Sequence, residues 1–266
     1  MTNVNINNVT LYYEQIGDKA KPELLLIAGL TCNSLFWAPI VKELGEHFHV
    51  TLFDNRGVGR SSAPETPYTI EDMAKDTLAL LEHLGIDKAH CLGHSMGGCI
   101  AQQLAITHPN KIERLVLSNT LISFKPKSAL TQQHILQLRR AGLPISVIAQ
   151  GIAPWLFSDD FLADHEKVSE FIAAAEQNPY QQTIVGFEGQ IGAISRFNSS
   201  SFYHKIAVPT LVIGGDSDIL CPADSKQLAD GIPQAEYYVF QGQGHLPLVE
   251  KPELFNRIVI NFLLKV

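Results

Sequence analysis

The chain has 266 residues, 45% of them hydrophobic and 18% charged, with a formal net charge of −7 at pH 7. That balance belongs to an ordinary globular protein long enough to bury a substantial core, in one large domain or two small ones. It excludes a nucleic-acid partner, which needs clustered Lys and Arg where this chain has only isolated pairs such as Arg139-Arg140, and no apolar run reaches bilayer-spanning length, so no membrane partner is expected.

Residues 1–8 are polar and lack the basic-then-apolar pattern of a secretion leader, which makes a cytoplasmic protein the expectation. Asn7-Asn8 reads as the turn of an opening hairpin whose second strand runs to Ile16. Residues 24–28 (Leu-Leu-Leu-Ile-Ala) are a continuous apolar run, the mark of a parallel strand covered on both faces. Gly29 follows directly and lets the backbone turn toward a ligand, so the Leu30 N–H is a candidate oxyanion donor. A helix over 37–48 and a strand over 49–53 lead into Asp54-Asn55-Arg56-Gly57-Val58-Gly59-Arg60-Ser61-Ser62. That loop contains no G-x-x-x-x-G-K-[ST], so its charges are read as pairing internally rather than holding phosphate. A helix over 70–84 is opened by Thr69 with Asp72 three residues on, and closed by Gly85.

The next stretch is the most informative in the chain. Residues 89–92 are short and apolar, Gly93-His94-Ser95-Met96-Gly97 follows, and 100–106 continue at helical spacing until His108-Pro109. Strand, G-x-S-x-G and helix together describe a nucleophile elbow: a turn so tight that it lifts the Ser95 hydroxyl clear of the backbone and aims the Met96 N–H at a developing oxyanion. A dinucleotide turn would need G-x-G-x-x-G and an acid closing the next strand, whereas Glu113 opens it. His90 and His94 are four apart, but strand and turn separate them, so no zinc site is expected. The cysteines Cys32, Cys91, Cys99 and Cys221 form no C-x-x-C pair and read as reduced thiols, with Cys32 and Cys221 near enough to the site for thiol reagents to block it.

After a strand over 114–119 the rhythm changes. From 124 to 203 no strand-like run occurs, and four helical patterns cover 127–140, 145–157, 161–177 and 180–194, broken by Pro126, Pro144, Pro154 and Pro179. This is read as a helical cap inserted between two sheet strands, leaving residues 1–123 and 204–266 as the core. Trp155, Leu156, Phe157, Phe187 and Phe197 are candidates for an apolar pocket wall, although aromatic residues at helical spacing also pack helices together. Leu220 and Leu246 join the candidates from later loops. The sheet resumes at 210–213 and ends in Gly214-Gly215-Asp216-Ser217-Asp218, where either carboxylate could orient a histidine. A helix over 223–231 and a strand over 235–240 lead to Gly244-His245, a histidine with the backbone freedom to approach a serine, and a helix over 252–264 closes the chain.

Ser, Asp and His in that order, each after a parallel strand, resemble the arrangement of the α/β-hydrolases. The residues carrying the resemblance are Gly93-His94-Ser95-Met96-Gly97, Asp54-x-Arg56-Gly57-x-Gly59-x-Ser61, Gly215-x-x-Asp218 and Gly244-His245 followed by Glu250-x-Pro252. It implies an α/β fold with a mainly parallel sheet flanked by helices and a helical cap. It further implies Ser95 as nucleophile, His245 as general base and acid, Asp218 rather than Asp216 as the orienting acid, and backbone donors at Leu30 and Met96. No cofactor or metal is expected. The implied activity is hydrolysis of a carboxylic ester or lactone of small to medium size. A C–C bond hydrolase, a cofactor-free haloperoxidase-like enzyme and a slow-turnover ligand receptor are the alternatives. Ala28-Gly29 stands where many members carry His-Gly.

Overall fold

The computed structural model describes residues 2–265. Eight strands form one sheet: β1 (Thr2–Ile6), β2 (Val9–Ile16), β3 (Glu23–Ile27), β4 (His49–Phe53), β5 (Ala89–His94), β6 (Ile112–Ser118), β7 (Thr210–Gly215) and β8 (Glu236–Phe240), in the spatial order β1-β2-β4-β3-β5-β6-β7-β8. β1 and β2 are an antiparallel hairpin and β2 pairs antiparallel with β4; every later pairing is parallel. Asn7 and Asn8 turn the hairpin with φ of 49° and 63°, the left-handed pair that matches strand twist.

The apolar runs explain the layering. In β3, Leu25 and Ile27 enter one core with α2 (Ile70–His83) and α3 (Met96–Thr107), while Leu24 and Leu26 enter the other with α1 (Ala38–Gly45) and α11 (Pro252–Leu263). A strand whose successive side chains both meet helices must be apolar throughout. Thr69 caps α2 and exchanges bonds with Asp72, and Gly85 follows the helix at φ 69°, as the spacing predicts.

Between β6 and β7 lie α4 (Pro126–Arg140), α5 (Ile145–Leu156), α6 (Asp159–Ala163), α7 (His165–Gln177) and α8 (Ile184–Ser195). Ser123 and Asn198 form an isolated antiparallel bridge, and Ser199 N–H donates to Ile122 O at 2.8 Å, so departing and returning chains are clasped together. The third predicted helix is in fact two. Asp164 adopts an extended backbone and accepts from the N–H groups of Glu166 and Lys167, ending α6 and starting α7. The fourth starts later than its apolar pattern, because Thr183 caps it by accepting from Gly186 N–H. After β7 come α9 (Asp224–Gly231), β8 and the single-turn α10 (Pro247–Glu250). Among the described residues, no helix is long and apolar enough to cross a membrane.

Candidate active site

Parallel strands deliver their carboxyl ends to one edge of the sheet, and the loops after β3, β5, β6, β7 and β8 meet there. At the end of β5, Ser95 holds φ 54° and ψ −120°, a conformation that costs a non-glycine residue roughly 1–3 kcal/mol and persists only where its surroundings enforce it. They do so by contact: a Cβ on Gly93 would stand 2.5 Å from Gly97 O, and one on Gly97 1.9 Å from Ile27 O. Ser95 N–H donates to Ser118 O at 3.0 Å, and Ser95 O accepts from Thr120 Oγ1 at 2.7 Å. The Met96 N–H opens α3, where no carbonyl of the helix can reach it and the helix dipole favours negative charge.

Asp218 follows β7 and is 3% exposed. Its Oδ2 lies 2.9 Å from His245 Nδ1 and accepts from Asn119 Nδ2 at 3.0 Å, while its Oδ1 accepts from the N–H groups of Leu220 at 2.8 Å and Cys221 at 3.1 Å. Burial alone would raise this carboxyl; the imidazole and the donors around it outweigh burial and bring it down to about 2. Asp216, by contrast, is exposed and accepts from Gly242 N–H at 2.7 Å. Asn119, at φ 45°, also donates to Gly244 O at 3.3 Å and so joins the loops after β6, β7 and β8.

The His245 loop is held from outside the sheet. His245 N–H donates to Leu156 O at 2.7 Å, and Glu250 accepts from Gly244 N–H at 2.8 Å and from Ser158 on the way into α6. His94 packs against His245 with ring centroids 5.0 Å apart. Burial, reinforced by the neighbouring His245, holds His94 well below the usual imidazole range, so it stays neutral.

The loop after β3 is fixed from both sides. Asn55 Nδ2 donates to Ala28 O at 3.2 Å. Gln190 of α8, fully buried, accepts from Thr31 N–H at 3.1 Å and from Gln182 Nε2 at 2.9 Å, and donates to Arg56 O at 3.0 Å. These bonds shape the loop where Ala28-Gly29 replaces His-Gly. The charged loop after β4 pairs internally and with neighbouring elements: Arg60 Nε meets Asp54 at 3.0 Å, and Arg56 meets Asp76 of α2 at 2.6 and 2.7 Å.

Over this edge lies a cavity of about 270 Å³, just under the roughly 300 Å³ at which small-molecule sites usually begin, a size that suits a small ligand. Ser95, His245 and Leu30 line it from below, with Phe187, Leu220 and Leu246 among its apolar walls. Three expected wall residues, Trp155, Phe157 and Phe197, are elsewhere. Phe157 stacks on Phe161 at 4.0 Å and is buried inside the helical segment, and Trp155 faces Lys127 with 4.9 Å from Nζ to ring centroid. The residue between them, Leu156, is the one that turns inward, as does Phe171 of α7, while Phe197 packs on the sheet core. Helical spacing places the 155–157 cluster but not its rotation about the axis. Neither Gln190 nor Arg139 is among the residues expected at the site, whereas Asn119 is expected at the carboxyl end of its strand, though not as the acid. The spacing of Ser128, Gln132, Ile135 and Arg139 along one face of α4 was the signal available, and all four line the cavity.

Asp218, Cys221 and His245 have potential ligand atoms within 4.8 Å of one another. Each Asp218 oxygen already accepts two hydrogen bonds, and burial beside that carboxylate pushes the Cys221 thiol well up, so neither offers the free anion that a metal requires. Burial raises Cys32 to about 12 as well, which disfavours the thiolate through which thiol reagents act, although Cys32 is half-buried and lines the cavity. All four cysteines are free.

A hydroxyl on a strained turn and an imidazole buttressed by a carboxylate, sharing one cavity with the Leu30 loop, have the chemistry for nucleophilic acyl transfer. The family model described as "alpha/beta hydrolase fold" matches residues 22–252. The chain is 34% identical over 266 residues to a protein of Serratia proteamaculans named "Putative carbamate hydrolase RutD", covering 96% of each. It is 30% identical over 253 residues to 3-oxoadipate enol-lactonase 2 of Acinetobacter baylyi, covering 95% of this chain and 92% of that one. The crystal structure of the enol-lactonase from Burkholderia xenovorans LB400 superimposes with a TM-score of 0.88 at 29% identity, covering 99% of this chain and 100% of that one.

Proposed function

Because the chain belongs to the α/β-hydrolase fold family, we propose that it is a serine hydrolase that cleaves a small to medium carboxylic ester or lactone through an acyl-enzyme. The observation that carries this reading is Ser95, strained at φ 54°, on the same cavity wall as a His245 whose Nδ1 is bonded to Asp218. Relatives named as a carbamate hydrolase and an enol-lactonase support a hydrolase acting on small molecules. The largely apolar cavity favours an ester or lactone.

With Nδ1–H committed to Asp218, the lone pair of His245 sits on Nε2 and takes the Ser95 proton as Oγ bonds to the acyl carbon. The carbonyl electron pair moves onto oxygen, facing the N–H groups of Leu30 and Met96. Collapse breaks the bond to the leaving oxygen, which receives the proton from Nε2. Water then repeats the cycle: His245 takes its proton, the new C–O bond forms, and Ser95 leaves with the proton returned. We propose a core of 1–123 and 204–266 and a cap of 124–203. The Ser123–Asn198 clasp supports the first boundary and brings the returning chain to the core somewhat before the second.

The test is labelling with a fluorophosphonate, peptide mapping, and turnover of p-nitrophenyl acetate, butyrate and octanoate. Modification at Ser95 with turnover that Ser95→Ala reduces on the order of 10⁶-fold is expected. Binding of these esters with negligible turnover would favour a receptor, and labelling elsewhere would end the proposal.

A further inference from the structure

Among the described residues, six other than glycine hold a positive φ, and only Thr31, at 68°, has a branched Cβ. Asparagine tolerates that region, but for a β-branched residue it is a true outlier that persists only where neighbours enforce it. Thr31 is the third residue of a turn closed by Cys32 N–H donating to Gly29 O at 3.2 Å, a place that glycine usually fills when φ is positive. The turn lies against the elbow: a Cβ on Gly29 would stand 3.1 Å from Ser95 Cβ, and residues 29 to 32 all line the cavity. Relaxing Thr31 to a negative φ requires the Leu30–Thr31 peptide to turn over, which reshapes the turn that carries Leu30.

What opposes that relaxation comes from α8. Thr31 N–H donates to Gln190 Oε1 at 3.1 Å, which fixes the orientation of the Leu30–Thr31 peptide. Gln190 is itself held: it is fully buried, accepts from Gln182 Nε2 at 2.9 Å and donates to Arg56 O at 3.0 Å, while Gln182 Nε2 also donates to Gly57 O at 2.8 Å. The helix leaves no slack either. A Cβ on Gly186 would stand 2.0 Å from Gly57 O and one on Gly189 2.6 Å from the Tyr68 ring, and Arg196 beyond the helix donates to Tyr68 O at 2.6 Å. Although α8 belongs to the inserted segment, it is seated directly on the loop after β4 and presents Gln190 from a fixed base.

We infer that Thr31 is a strained positioning residue, held at positive φ by the Gln182–Gln190 pair of the inserted segment, and that this clamp sets the Leu30 N–H for the oxyanion. The part that concerns Leu30 rests on the function proposed above, whereas the clamp does not.

The test is a cycle of Thr31→Gly and Gln190→Leu, read by kcat and KM for p-nitrophenyl butyrate and by thermal melts. Losing Gln190 should lower kcat roughly ten- to a hundredfold in the Thr31 chain. In the Thr31→Gly chain the loss should be on the order of tenfold smaller, because glycine enters the left-handed region without penalty, and KM should move little in either. Thr31→Gly alone should raise Tm by roughly 2–4 °C, relief of strain outweighing the freedom that glycine adds to the unfolded chain. Thr31→Val keeps the branched Cβ and should keep the full dependence on Gln190. Where Gln190→Leu does not fold, Gln182→Leu, which removes only the bond orienting Gln190, takes its place. Equal losses of kcat with and without Thr31→Gly overturn the inference, as does a Thr31→Gly that melts below the wild type. Rescue by Thr31→Val overturns it too, since the hydroxyl and not the backbone would then be at issue. If no chain turns over the ester, the proposed function fails and the role of Leu30 with it, and the melts alone decide the clamp: a Tm loss from Gln190→Leu that shrinks beside Thr31→Gly keeps it, and additive losses remove it.

Discussion

The elbow at the end of β5 and the helices above it are held by different physics. Around Ser95 the backbone leaves no room: two glycines sit where a Cβ would strike a carbonyl, and the turn packs against the end of β3 and is hydrogen-bonded to the end of β6 and to Thr120 just after it. The helices α4 to α8 carry small cores of their own, and polar stitches join them to the sheet: Gln190 to Thr31 and Arg56, Leu156 to His245, and Arg196 to Tyr68. On the proposed function, the lower region would supply the bond-making groups and the upper one would select what reaches them.

The comparison breaks most decisively at the acid. If the sheet end alone supplies the reactive apparatus, Asp218→Asn should lower kcat roughly 10⁴-fold by disturbing the tautomer and orientation of His245. Asp216→Asn, in an exposed side chain bonded to Gly242, should leave kcat near its original value. Ester turnover measured on both variants decides this; equal losses would mean that the β7 loop as a whole, and not one carboxylate, orients the imidazole.

This asymmetry also explains what could be read before folding. Gly93-x-Ser95-x-Gly97 is legible because the chemistry demands specific residues at adjacent positions, and the apolar run at Leu24–Leu26 is legible because a strand covered on both faces tolerates nothing else. Asp218 could be separated from Asp216 only by family spacing; the reason for the difference, burial under Asn119 and His245, comes from residues distant in sequence. In the helical segment, period alone marks helices but says little about rotation or interruption. Of the three neighbouring candidates only Leu156 therefore reaches the cavity, while Trp155 and Phe157 do not, and Asp164 splits a run that looks continuous. Gln190 gave no local signal, because one buried glutamine in an apolar helix acquires meaning only through the two loops it joins.

Gln190 sharpens the boundary between the regions. Its Oε1 holds the Thr31 N–H, one residue beyond the candidate donor Leu30, while its amide holds Arg56 O. Gln190→Leu should lower kcat roughly ten- to a hundredfold, the range associated with small displacements of positioned groups, with a much smaller change in KM. A loss confined to thermal stability, with kcat unaltered in the folded fraction, would make Gln190 a stitch between regions and nothing more.

The smallest expected effect concerns stability, and its sign follows from the ion pair. Asp218 lies at about 2 in the folded chain against an ordinary 3.8. Between those values the unfolded chain takes up a proton that the folded chain refuses, so the stabilisation is complete above about pH 4 and vanishes as pH falls toward 2. The difference corresponds to about 2 kcal/mol. Urea unfolding of the wild type and Asp218→Asn across that interval isolates it, because the remaining carboxylates contribute to both. The stability gap between them should narrow as pH falls. A constant gap would mean that the variant's cost comes from lost neutral hydrogen bonds to Asn119, Leu220 and Cys221, placing Asp218 among the structural stitches rather than the charged groups that stabilise an imidazolium.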